Sequence, residues 1–229
     1  MKVNFIKKDF VVINKDEALR YMGYNSKTVD IETQKLLDES IAEVKDLAEL
    51  KYVYKIFDIE KENNNISFEN VINIKSNDLY TLFKNCEKSA VIAATLGFEV
   101  EKRIRYYSLT NLSKALVFDA CATSCIEALC DVAQAEIKEI ALKEGFNTTH
   151  RYSPGYGDVP ISHQSEILSA LNAQKLIGLS VLDSYILIPR KSVTAFIGFI
   201  KDSKIYKKSC IDCNLFGNCN FSKEGDRKC

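Results

Sequence analysis

The chain has 229 residues, 46% hydrophobic and 27% charged, enough to bury a full core in one large domain or two small ones. Its 31 basic residues balance 31 acidic ones, so no net field draws nucleic acid or an anionic membrane. No apolar run approaches a membrane span and "MKVNFIKKDF" lacks the apolar core of a signal peptide, so the expected location is the cytoplasm. In that reducing compartment the eight cysteines are expected to be thiols or metal ligands rather than a disulfide framework.

In chain order, Asn14 opens "NKDEALRYMGY" with Glu17 three positions on, a pattern in which each side chain satisfies an orphan backbone donor at a helix start. A longer helix is predicted over 32–49, where Leu37, Ile41, Val44 and Ala48 recur at helical spacing. "YVYKIFDIE" and "ISFENVINI" are β-rich runs separated by "KENNN", a hairpin-like pair. Ser76 starts a short helix, and "SAVIAATLG" reads as a buried strand ended by Gly97. Residues 98–143 are nearly free of Gly and Pro and predict helix, with a break near 108–111 and an end at Gly145.

A helix over 162–171, a short one over "AQKLIG", and two strands, "VLDSYILI" and "SVTAFIGFI", complete the reading. The expectation is an α+β fold: a single domain over 1–206, with a mainly antiparallel twisted sheet flanked by helices, then a cysteine-rich tail over 207–229.

The cysteines divide into two sets. Cys121, Cys125 and Cys130 lie in "FDACATSCIEALCD" among small and apolar residues, where an unpaired cysteine is most often simply buried. The tail carries Cys210, Cys213, Cys219 and Cys229, four soft thiolates with Gly217 and Gly225 between them, a set that suits zinc or an iron–sulfur cluster. Free or redox-active thiols are the other reading of that tail.

Between Gly145 and Ser162 lies a loop of sixteen residues containing "HRYSPGYGDVPIS" and two of the chain's three prolines, Pro154 and Pro160. Loops of that length in a compact domain are usually functional. Pro154 fixes φ, Gly155 and Gly157 permit close backbone approach or positive φ, and Arg151 offers a permanently charged fork for a carboxylate or phosphate. That combination describes a site for a small anionic or zwitterionic ligand. A proline-stiffened connection with Arg151 in an ion pair is the plainer reading. The chain's two histidines, His150 and His163, have nothing beside them in sequence that completes a proton-transfer pair.

"RYSPGYGDVP" resembles the Arg-x-x-x-Gly-Tyr-x-x-x-Pro signature of the activation domain of cobalamin-dependent methionine synthase, carried by Arg151, Gly155, Tyr156 and Pro160. The likeness continues through Leu182, Ser184, Pro189, Ser192 and Val193 to "DSKIY", so its best-matched part is 151–206.

The resemblance implies S-adenosylmethionine as ligand, and a methyltransferase-type half-reaction in which cob(II)alamin is reduced and remethylated. Arg151 is then expected on the methionyl carboxylate, Gly155 and Tyr156 along the ligand, and Ile205 and Tyr206 on its far side. Ile205 departs from the family's tyrosine there, and Gly23 of "RYMGY" stands where a ligand-contacting acid is expected.

No Gly-x-Gly-x-x-Gly and no cobalamin-binding Asp-x-His-x-x-Gly occurs. The cobalamin is therefore expected on a partner, a methionine synthase or another corrinoid protein, with a flavodoxin- or ferredoxin-type electron donor. Two other readings stay open at this point: a non-catalytic S-adenosylmethionine sensor, and an iron–sulfur electron-transfer adaptor built on the tail.

Overall fold

The computed structural model describes residues 2–24 and 29–201. Strand β1 (Lys2–Phe5) precedes two helices, α1 (Lys15–Tyr21) and α2 (Ile31–Leu47). Both starts are capped. The Asn14 side chain accepts from the amides of Asp16 and Glu17, and Asp30 accepts from the Thr33 amide, each satisfying a donor that the first helical turn leaves open.

The first β-rich run forms β2 (Lys51–Glu62), which turns back through Asn63 and Asn64, both at positive φ, into β3 (Asn65–Phe68). The second run is not one strand. Glu69 and Asn70 also take positive φ, and the Asn70 amide donates to Ser67 Oγ at 3.2 Å, so the chain turns again into β4 (Ile72–Lys75). Ser76 caps α3 (Asn77–Leu82) by accepting from the Leu79 amide at 2.9 Å. Strand β5 (Cys86–Thr95) ends before Gly97, whose φ of +81° opens α4 (Phe98–Thr110).

Asn111 breaks the predicted long helix and caps the next one, α5 (Leu112–Lys143). After a two-residue strand β6 (Asn147–Thr148) come α6 (His163–Ala170) and α7 (Ala173–Ile177). "VLDSYILI", expected as one strand, is a small hairpin: β7 (Ser180–Val181) and β8 (Leu187–Ile188) pair around Tyr185, which sits at φ +61°. Strand β9 (Ser192–Ile200) closes the described chain.

All sheet pairings are antiparallel, in the order β4-β3-β2-β5-β9-β6, with β1 added beside β2. Side chains alternate between two cores. Tyr52, Tyr54, Ala90, Ile92, Ala94, Ala195, Ile197 and Phe199 face one core shared with α5; Val53, Phe57, Val91, Ala93 and Phe196 face the other, under α6 and α7. Because helices cover both faces, β5 and β9 read as continuous apolar runs rather than as alternating ones.

Helix α5 is the spine of the first core. It packs against α1, α2, α4 and the sheet, and its small residues Ala120, Ala122 and Ala133 let these neighbours approach closely. Cys121, Cys125 and Cys130 are buried on it, as their surroundings in sequence suggest. Burial pushes all three thiols up to about 12.

Candidate functional site

The loop after α5 is less irregular than its composition suggests. Its first half is extended: β6 pairs with the end of β9, Thr149 exchanges hydrogen bonds with Gly198, and Tyr152 exchanges two with Phe196 at 3.0 and 2.8 Å. Successive side chains of an extended segment point to opposite faces. Arg151 therefore reaches toward α5, while Tyr152 passes to the other side of the sheet and reaches α3.

Arg151 is 82% covered and lies along one face of α5. Its Nη1 donates to Asp131 Oδ1 and Gln134 Oε1, both at 2.8 Å, and its Nη2 to Glu127 Oε2 at 3.1 Å. Gln134 is itself oriented by the Thr149 carbonyl at 3.4 Å. An arginine carries five N–H donors. Three are used here, and among the described residues the Nε–H and one Nη2–H have no acceptor. Burial works against the guanidinium's charge, but Cys130, Asp131 and Glu127 more than offset it and hold its pKa above the ordinary value.

The carboxylates around Arg151 form a stripe. Asp119, Thr123, Glu127 and Asp131 recur every four residues on α5 and so share one face. A second cation lies along it: Lys191 reaches Asp119 Oδ2 at 2.9 Å and Thr123 Oγ1 at 2.7 Å. A hollow beside this stripe is lined by Tyr21, Leu116, Asp119, Ala120 and Thr123. Helix α1 is held over it because Ser124 Oγ bonds both the amide and the carbonyl of Asn14 at 3.1 Å. Burial, then the nearby Glu127 carboxylate, raise the Tyr21 hydroxyl above its ordinary range.

The second half of the loop is a tight turn. Pro154 and Val159 are buried, and Gly155, Tyr156, Gly157 and Asp158 between them are exposed. Gly155 sits at φ +90° and donates to the Val159 carbonyl at 2.9 Å; Gly157 sits at φ +51°. Tyr156 is 61% exposed. His163 Nδ1 lies 3.1 Å from Glu166.

Of the residues predicted for a ligand, Arg151, Gly155 and Tyr156 share one loop, with the guanidinium against α5 and the turn that follows tied to the start of α3 on the other side of the sheet. Ile205 and Tyr206 lie outside the described residues, as do Cys210, Cys213, Cys219 and Cys229. Among the described residues no group of three or more His, Cys, Asp or Glu side chains is arranged to hold a metal ion. Also among them, no helix is long and apolar enough to cross a membrane. Sequence reasoning missed Glu127, Asp131, Gln134 and Lys191. The signal for Glu127 and Asp131 was their four-residue acidic spacing in "FDACATSCIEALCD", overshadowed by its cysteines; Gln134 and Lys191 lie outside that stretch and carried no such signal.

Neither a family model nor a curated protein sequence matches this chain. A solved structure does: the crystal structure of the MetH reactivation domain bound to AdoHcy superposes with a TM-score of 0.66 at 15% identity, covering 91% of this chain and 81% of that one. The chain has the reactivation-domain fold. The match covers 91% of the chain and so extends far beyond the 151–206 segment that carries the sequence resemblance.

Proposed function

We propose that this chain binds S-adenosylmethionine along the Arg151 face of α5 and presents it to a corrinoid carried by a partner protein, supporting reductive methylation of cob(II)alamin on a methionine synthase or a related corrinoid protein. The neighbour of the same fold is a reactivation domain with AdoHcy bound, the demethylated form of that ligand. The observation that carries the reading is Arg151: a covered guanidinium, fixed by three side chains of one helix, with two N–H groups that have no acceptor among the described residues.

Those two donors suit a carboxylate, the group for which a planar fork is best shaped. Glu127 and Asp131, 46% and 73% exposed, sit against the same guanidinium and offer acceptors to an ammonium group. One short stretch of α5 and its loop thus addresses both charges of an amino acid. This supplies the acid that Gly23 cannot. Gly155 keeps the turn beyond Arg151 open to close approach, and exposed Tyr156 offers a ring to the rest of the ligand.

The ligand brings a methyl group on a positively charged sulfur and the reduced corrinoid is a strong nucleophile, so the protein's work is alignment rather than proton transfer. The site fits that division: it contains carboxylates, an arginine and a lysine. Ile205 and Tyr206 are proposed to complete the ligand's far side, and the four tail cysteines to hold zinc or an iron–sulfur cluster.

Calorimetric titration of S-adenosylmethionine into wild-type protein, Arg151→Ala and Arg151→Lys tests the reading. Loss of a charge-assisted bidentate contact of about 1.5–3 kcal/mol raises Kd by about 10- to 150-fold in Arg151→Ala. Arg151→Lys is expected to recover only part, because a point charge does not replace a fork. Equal affinity in wild type and Arg151→Ala refutes the site. No binding by wild type, alone and with a corrinoid-loaded partner, refutes the function.

A further inference from the structure

The turn that carries Gly155 and Tyr156 is exposed, yet it is tied down on the face of the sheet opposite Arg151. The Asp158 carboxylate accepts from the Ser76 hydroxyl and from the backbone amides of Asn77 at 2.6 Å and Asp78 at 3.3 Å. These are the orphan donors at the start of α3, so one side chain 80 residues away completes that helix's cap. A second tie runs beside it. The Tyr152 hydroxyl lies 3.3 Å from Asp78 Oδ2 and 3.2 Å from the Tyr156 carbonyl oxygen. Both groups stand where a side chain at Gly157 would go: a Cβ there would lie 2.1 Å from Asp78 Oδ2 and 2.2 Å from the Tyr152 hydroxyl. Its positive φ also disfavours any side chain.

Packing fixes the two ends of the turn, Pro154 and Val159, but the four residues between them are exposed. Burial therefore contributes little to holding them, and hydrogen bonds decide their conformation. We propose that Asp158, with Gly157 and Asp78, forms a clasp that docks the turn onto the start of α3, and that this clasp sets S-adenosylmethionine affinity by keeping Gly155 and Tyr156 in their binding conformation. Asp158 is a positioning residue here, acting through Gly155 and Tyr156. The inference rests on the ligand site proposed above and deepens it.

A loop competent for only a fraction of the time weakens apparent affinity by that fraction. A turn released so that it is competent about one-tenth of the time thus raises Kd about tenfold in Asp158→Ala. Asp158→Asn keeps one acceptor and is expected between the two. Gly157→Ala pushes Asp78 and Tyr152 apart and acts in the same direction without touching Asp158.

The test pairs two measurements on the full chain. Amide hydrogen exchange of the ligand-free variants reads the clasp by itself: faster exchange over 153–159 and 76–79, with β9 unchanged, is expected in Asp158→Ala. Calorimetric titration with S-adenosylmethionine then reads its consequence, a raised Kd at an unchanged number of sites. Unchanged exchange over 153–159 in both Asp158→Ala and Gly157→Ala overturns the clasp. Faster exchange with wild-type affinity overturns its role in binding. Wild-type protein that binds no S-adenosylmethionine overturns the ligand site itself, and the exchange data then judge the clasp alone.

Discussion

Replacing Glu136 probes how α5, the helix that carries the site, is anchored to the sheet. Its carboxylate accepts from the hydroxyl of Tyr54 at 2.8 Å, from that of Tyr52, and from Asn4 Nδ2 at 3.3 Å, joining β1, β2 and α5. Tyr52 and Tyr54 are 1% and 4% exposed, so Glu136→Ala leaves two buried hydroxyls without their acceptor. Each stranded buried polar group costs about 1–3 kcal/mol. Water can enter where the partly exposed carboxylate was removed, so the lower half of the sum applies, roughly 2–4 kcal/mol.

At about 2–4 °C per kcal/mol for a domain of this size, Tm falls by roughly 4–16 °C. Urea denaturation of Glu136→Ala, Tyr54→Phe and the double variant measures this and isolates the coupling, since the second change costs little once the first is made. The interaction also carries a pH signature. Burial first, then Glu136, holds both tyrosine hydroxyls above their ordinary value of 10.0. A group whose folded pKa is raised stabilises fully below the unfolded pKa and loses that contribution as pH rises through the folded one. Wild-type stability is therefore expected to fall above about pH 10, and less steeply in Glu136→Ala. A variant within about 0.5 kcal/mol of wild type at neutral pH refutes the anchoring role.

Two further outcomes are expected. Gly198→Ala places a methyl 2.6 Å from Cys86 Sγ and 2.9 Å from Phe83 Cε1 in the closed second core, so stability falls by about 1–3 kcal/mol in urea denaturation, and Cys86→Ala in the same chain recovers part of it. Burial holds the thiols of Cys86, Cys121, Cys125 and Cys130 up to about 12, so iodoacetamide near pH 8 leaves them unmodified in native protein and labels them in guanidinium chloride, read by peptide mass spectrometry.

Local chemistry made much of this fold legible in advance. Asn14 and Ser76 are caps because a short polar side chain meets orphan amides within three residues, and Gly97 and Gly145 end elements because the backbone there needs positive φ. The break in the long helical stretch fell within its predicted window for the same kind of reason, Asn111 serving as the cap of α5. Where the reading failed, non-glycine residues took positive φ: Glu69 and Asn70 split "ISFENVINI", and Tyr185 turned "VLDSYILI" into a hairpin. β-rich composition outweighs such turn signals in a linear reading.

The sequence by itself determined that Arg151, Gly155 and Tyr156 share a loop between two helices, and that proline and glycine shape it. Only the tertiary structure decided what that loop touches. Glu127 and Asp131 meet Arg151 from 24 and 20 residues away, and Asp158 caps α3 across 80. Such pairings depend on which face each element turns to the sheet. That choice is made by burying two apolar cores at once, a property of the whole chain rather than of any stretch within it.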